Sequence, residues 1–365
     1  MPLRFRLATA EDDAALRRAF AATPMEGGMR LAFEREPSFF DALRVQGDVT
    51  QVIICEETNA GEIIAIGTRC LADAFVNGTP QRVGYLSDLR ILPQWRKGTV
   101  LARGWKFLLS LDEDGLVDLY HTAIFAENAG AKSALTQARA GVPQYHPLGG
   151  FITAGIHPSH SAPPVSPHLR VTRGTASELP HIVEFLNAHN TSRQFAPVHR
   201  VEDFAPGGRW RDFRIEDFFL IRNGADLCGV GGVWDQAAFK QTRVLGYTGK
   251  WRWFYHLSQL THRVLPVPRL PSPGEHFRFG YGCFMACPSQ DPEVFRQLVH
   301  AMRHEASKRG WMHLLLSLHE NDPLLPLLSD IPHTPFRAEL FWLSPRGTGA
   351  TPHSQLVPHI EAALL

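Results

Sequence analysis

The chain has 365 residues, and at about 100–200 residues per domain two domains are the expectation. Its 44% hydrophobic and 20% charged residues exclude a disordered, collagen-like or coiled-coil chain. Lys plus Arg number 37 against 36 Asp plus Glu, and a net charge of +1 offers polyanions no field, so nucleic acid is not expected as a partner.

In chain order, RFRLATAEDDAALRRAF reads as a short strand, an acidic helix start and an apolar helical period. VIICEETNAGEIIAIG follows as two strand runs joined by a Gly-containing turn. In VGYLSDLRILP, alternation at Leu86, Leu89 and Ile91 marks a strand that stops at Pro93. A basic turn then opens a helix with Val100, Leu101, Trp105, Leu108 and Leu109 at its apolar positions. The strand LYHTAIFAEN and a last strand near FITAGI complete the first half. HPSHSAPPVSPH, residues 157–168, is rich in Pro and Ser without periodicity and reads as a linker.

The second half repeats this grammar. Arg173 in LRVTRGTASELPHIVEFL stands 167 residues after Arg6, and FFLIRNGADLCGVGG has the form of the earlier hairpin. FGYGCFMACP then leads through a helical segment to WMHLLLSLHEND, and ELFWLS supplies a last strand. Both closing strands run into Glu-Asn, at Glu127-Asn128 and Glu320-Asn321. Residues 240–276 have no counterpart in the first half and read as an inserted helix and loop or a partner-facing lid. The order of elements is that of an α/β (α+β) protein, with domains expected over 1–156 and 169–365.

The stretch 84–111 carries the chemistry. A helix N-terminus has unpaired N–H groups and the positive end of the macrodipole, so the turn before Val100 is suited to an anion. Arg96 and Lys97 add charge there, and Gly98 lets the backbone approach a diphosphate.

Asp88-Leu89-Arg90-Ile91-Leu92-Pro93, followed by Gln94-Trp95-Arg96-Lys97-Gly98-Thr99-Val100, resembles the acyl-CoA signature of the GNAT acetyltransferase superfamily. That signature is a strand of the form D-L-x-V-x-P and an Arg/Gly-rich turn into a helix. Asn128 and Ala131 resemble the family's second cofactor motif. The turn departs from the pattern in having Gly98 alone, and Leu135-Thr136-Gln137 replaces a tyrosine-containing run. The resemblance implies two tandem GNAT-like domains, each a mixed, mostly antiparallel twisted sheet flanked by helices. It implies an N-acetyltransferase with one site, in the first domain, for acetyl-CoA or another acyl-CoA. Leu89, Ile91 and Leu92 would bind the pantetheine arm, and Arg96, Lys97, Gly98, Thr99 and Val100 the diphosphate, with Asn128 as a further contact. Asp88 would serve as acid or base, with His121 and Tyr85 as weaker alternatives. In the second copy Asp291 and Glu293 put acid where a diphosphate would sit, which marks that copy as degenerate.

Two other readings compete: a non-catalytic tandem GNAT-like binding module, and a transferase using a different acyl or aminoacyl donor. The acceptor is expected to be a small-molecule or peptide amine, and a homodimer is left open. Glu26, Glu34 and Glu36 in the 20–45 segment could attract a cationic amine, although a solvated helix face is their simpler explanation. No metal is expected, because His157, His160 and the Cys283–Cys287 pair lack zinc spacing. Trp251, Trp253, Phe254 and Tyr255 read as core or interface. Five cysteines, mostly in apolar runs, with no secretory h-region and no membrane-length apolar run, point to a cytoplasmic protein without a membrane span.

Overall fold

The computed structural model describes residues 2–137, 140–161, 166–261, 269–288, 291–353 and 355–365. The first half runs β1 (Leu3–Leu7), α1 (Asp13–Ala21), β2 (Met29–Glu34), α2 (Phe39–Leu43), β3 (Val49–Glu57) and β4 (Glu62–Val76). It continues with β5 (Thr79–Ile91), α3 (Val100–Leu111), β6 (Tyr120–Phe125), α4 (Ala129–Thr136) and β7 (His146–Ile156). The second half runs β8 (Arg170–Arg173), α5 (Leu179–Asn190), β9 (Arg193–Gln194), β10 (Ala196–Pro197), β11 (Phe218–Asn223), β12 (Asp226–Trp234) and β13 (Gln241–Tyr247). Then come α6 (Lys250–Thr261), β14 (Phe279–Ala286), α7 (Pro292–Lys308), β15 (His313–His319), β16 (His333–Leu343) and β17 (Val357–Pro358).

One sheet joins the halves in the order β1-β3-β4-β5-β6-β16-β7-β15-β14-β12-β11-β8, with β10 added beside β4. It is mixed and mostly antiparallel, and the parallel pairs in it are β5 with β6 and β14 with β15. The last strands of the two halves are exchanged, which the order of elements did not reveal. β16 lies beside β6 of the first half, and β7 lies beside β15 of the second. The two also pair with each other over most of their length. The linker at 157–168, of which 162–165 fall outside the described residues, therefore separates the halves along the chain but not in the sheet.

Alternation along the strands sends side chains to two faces. Val52, Ile54, Ile66 and Cys70 pack against Leu16 and Phe20 of α1 and Phe39 and Leu43 of α2. Ile53, Leu71 and Leu86 face the other way, onto Trp105 and Leu108 of α3. The 240–276 segment starts with β13, which pairs with β2 of the first half in a separate two-stranded sheet, and continues into α6. The aromatic cluster there is only partly core: Trp251 packs over Gly28, but Trp253 is 80% and Leu260 77% exposed. Among the described residues no helix is long and apolar enough to cross a membrane.

Candidate functional site

β5 and β6 pair in parallel only at Gly84 with Tyr120 and Tyr85 with His121. Gly84 is required at that crossing, because a Cβ there would lie 2.2 Å from the Tyr120 ring. The Tyr120 hydroxyl is fixed by a buried network: it accepts from Arg69 Nε at 2.8 Å and donates to Asp112, while Arg69 also reaches Asp114 at 2.9 Å. The Thr122 hydroxyl then donates to the Leu86 carbonyl at 2.7 Å, and beyond it β5 stays with β4 while β6 turns to β16. The strands diverge, and a cavity of about 230 Å³ opens between them.

On the β5 side the ladder with β4 is broken by a β-bulge. Ser87 faces Thr68 and Arg90 faces Ile66, so Asp88 and Leu89 together oppose Gly67, and Asp88 has φ +54°. A bulge takes peptide groups out of the ladder and re-aims a side chain. Asp88 is thereby turned to the α1/α2 face, where Oδ1 accepts from Arg35 at 3.4 Å, and Leu89, 39% exposed, is left at the cleft. The Asp88 side chain is 9% exposed and the Arg35 side chain 6%. Asp88 Oδ2 has no hydrogen-bond partner.

The cavity runs from this bulge past Val100 and Leu101 of α3. The turn before α3 is exposed at Arg96, Lys97, Gly98 and Thr99. Thr99, the N-cap, makes no side-chain cap bond, and Gly98 has φ +132° with open space where a Cβ would be. Arg96 is anchored by an Nε bond to the Ile91 carbonyl at 3.0 Å. Asn128 lines the cavity and caps α4 by accepting from the Ala131 amide.

Of the residues singled out from the sequence, Asp88, Leu89, Ile91, Val100 and Asn128 line this cavity, with Tyr85 at its inner end, and Arg96 to Thr99 form the exposed turn of α3. Leu92 packs instead with Val100 and Trp95 in the adjoining core. His121 is set apart, stacked on Tyr85 and against Phe195 in a small cavity of about 30 Å³ that Tyr85 also lines. Burial pushes the His121 imidazole down to about 3 and pushes the Tyr85 phenol up. The acidic trio is committed elsewhere: Glu26 pairs with Arg30, Glu34 with Arg243 and His276, and Glu36 with Arg17. Sequence reasoning missed Arg35, Arg90 and Lys240, which converge on the bulge from three separate segments. Burial, and then the nearby Arg35 charge, push Lys240 down to about 7; its Nζ donates to the main-chain oxygens of Ala363 and Leu365.

The second half carries the same bulge with the opposite outcome. Val230 to Gly232 of β12 spans Ala286 to Cys283 of β14, and the extra residue, Phe284, has φ +53°, 196 positions after Asp88. Its ring lies on the α5 side of the sheet, packed among Phe204, Trp210, Phe213, Phe218 and Trp234. At the start of α7 the Asp291 carboxylate accepts from the amides of Glu293 and Val294, so the protein's own anion occupies that helix end.

No protein-family model matches the sequence, and no curated protein does. Solved structures do. The chain is similar to N-myristoyltransferase of Saccharomyces cerevisiae with bound myristoyl-CoA, at 10% identity and TM-score 0.59, over 94% of this chain and 84% of that one. It is also similar to a GCN5-related N-acetyltransferase from Sphaerobacter thermophilus, at 12% identity and TM-score 0.58, over 100% and 98%. With the diverging parallel strands and the bulge, these likenesses show that the chain has the fold of the GNAT superfamily.

Proposed function

We propose that this protein is an acyl-CoA-dependent N-acyltransferase that transfers an acetyl group to the primary amine of a small molecule or an exposed amino group. One contrast carries the reading. Both halves have the bulge, the parallel strand pair and the following helix, but the first has a cavity at its diverging strands and a helix end without a side-chain cap, where among the described residues α7 is capped by Asp291.

Bound acyl-CoA supplies a thioester acyl group. The chain's own residues do the rest. The amides leading into Val100, with Arg96, Lys97, Gly98 and Thr99 around them, hold the diphosphate. Peptide groups at Leu89 and Ile91, beside the broken ladder, hydrogen-bond the pantetheine arm, whereas the Leu92 N–H is already given to the Ile64 carbonyl, and an N–H of Leu89 or Ile91 polarises the acyl oxygen. Asn128 borders the same channel. Apolar walls from Val100, Leu101 and Ile124 exclude water. Asp88 Oδ2 takes the proton of the incoming amine, the role its unpartnered, buried position supports. Neutral His121, on the far side of Tyr85, acts in packing.

A longer acyl group is a second reading, favoured by the apolar cavity continuing to Ile53, Trp105 and Leu108. Thermal unfolding with acyl-CoA of two to sixteen carbons tests both readings. A donor at 100 times its Kd adds about 2.7 kcal/mol of stability. A maximum at acetyl supports the first reading and one at longer chains the second; no shift with any acyl-CoA or with CoA overturns the function.

A further inference from the structure

Among the described residues, three of the buried side chains with a polar atom left unpaired meet at one place. They are Asp88 at Oδ2, Arg35 at Nε and Arg90 at Nε. A buried polar atom without a partner costs about 1–3 kcal/mol, so three in contact with one cavity wall need a reason. Asp88 and Arg90 line the cavity, and Arg35 stands behind Asp88. Both guanidinium groups lie over the Phe20 ring, at 5.0 Å for Arg35 and 4.9 Å for Arg90, which fixes them from the side away from the cavity. The remaining hydrogen bond of Arg90 runs to the Leu89 carbonyl, on its own strand.

The charges do not balance. Arg35 and Arg90, with Lys240 nearby, face one aspartate, an excess of at least one positive charge, and the carboxylates nearest in sequence, Glu34 and Glu36, are paired with Arg243 and Arg17. The field of Arg35 is felt at Lys240 and Arg90, both held below their ordinary range, with burial as the larger cause. A monoanion would supply the missing charge, and a carboxylate fits the fork of a guanidinium.

Resting on the acyltransferase reading, we propose that the acceptor is an amino-acid-like molecule whose carboxylate is held by Arg90 and Arg35 while its amino group meets Asp88. The three unpaired atoms are then complementary to a zwitterion: donors for the carboxylate and an acceptor for the ammonium. A plain amine leaves the Nε atoms of both arginines unpaired.

The test measures binding without donor, by calorimetry, for α-amino acids, each paired with its decarboxylated amine and its amide. Amino acids are expected to bind at least tenfold more tightly than either partner. Arg90→Gln is expected to weaken the amino acid at least tenfold and to reduce the acid-to-amine ratio of kcat/KM by the same factor. Arg35→Lys, which retains the buried charge, serves where Arg35→Gln fails to fold and is expected to lower the ratio less. Equal binding of acid and decarboxylated amine, absence of binding across the panel, or insensitivity to both arginines overturns the proposal. The calorimetric outcomes are read without donor and so are independent of whether acyl-CoA shifts the melting temperature.

Discussion

Changing Thr99 to Asp gives α3 the cap that α7 already has. Asp291 shows what such a carboxylate does: it accepts from the first-turn amides of its helix. Thr99 makes no side-chain cap bond, and Asp ranks above Thr as an N-cap, so the unliganded protein should keep its melting temperature or gain slightly. Binding should suffer. At about 4 Å, two unit charges interact by roughly 1 kcal/mol in bulk water and roughly 4 kcal/mol near a protein surface, and the turn from Arg96 to Thr99 is exposed. Taking ~2 kcal/mol as the repulsion of a two-charge diphosphate in water raises Kd about 30-fold. At a donor concentration of 100 times the original Kd, stabilisation then falls from about 2.7 to about 0.9 kcal/mol. The assay is the melting temperature with and without acyl-CoA at fixed concentration. Thr99→Asn, an uncharged cap of the same size as Asp, should keep the full shift. Equal shifts for Asp and the native protein would refute the placement of the diphosphate, and equal losses for Asp and Asn would show that size, not charge, is at work.

Three further outcomes are expected. Arg69→Leu leaves Asp112, whose side chain is 2% exposed, without its cation and Tyr120 without a donor, so a loss of about 3–5 kcal/mol should appear in the urea midpoint. His199, packed against Phe204, Trp210 and Phe284 and pushed down to about 3 by burial, stays neutral where the unfolded chain's imidazole, near 6.5, takes up a proton. The unfolded state binds the extra proton, so stability falls as pH drops from about 6.5 towards 3. His199→Phe should flatten that fall in melts between pH 7 and 4.5, and an unchanged slope would contradict it. Residues 1–156 expressed alone lose β16 from between β6 and β7 and should be insoluble, whereas co-expression with 157–365 should restore a soluble complex on a sizing column.

Local patterns in the sequence carried far. The hairpins at 49–76 and 218–234 and the helix at 100–111 follow from alternation, turn residues and helical period. The mixed, mostly antiparallel sheet follows from their order together with the resemblance at Asp88–Pro93. What local pattern cannot show is which distant strand becomes a neighbour: β7 and β16 read equally well as the last strand of their own half, and their exchange is decided by packing across more than 150 residues. The same limit hid the arginine cluster. Arg35 reads as one charge among Glu34 and Glu36, and only the bulge at Asp88 brings that carboxylate against it, behind the cavity wall. The aromatic core around Phe284 escaped notice because Phe204 ends a single 3-10 turn and Trp210 and Phe213 lie in irregular chain, none with a period. In α6 the aromatic positions suggested core or interface, yet among the described residues no element covers Trp253, since helical period reports that one face is apolar and not what meets it.

The second half is not a spare copy of the first. Its bulge residue Phe284 belongs to an aromatic core on the α5 side of the sheet, and Asp291 caps its α7. It also braces the cavity wall of the first half. Arg35 follows directly after β2, and β2 is held by β13 of the second half through a register running from Glu34 with Gln241 to Met29 with Tyr247. The Arg243 bond to Glu34 at 2.7 Å and the Gln241 bonds to Glu36 lie on either side of Arg35 in the chain. Lys240, one residue before β13, reaches the main chain of Leu365 at the cavity. The position of Arg35 against Asp88 thus depends on residues 240–247, a segment without counterpart in the first half. The strand exchange ties the two halves into one sheet, so this support from the second half holds the cavity wall of the first at fixed geometry.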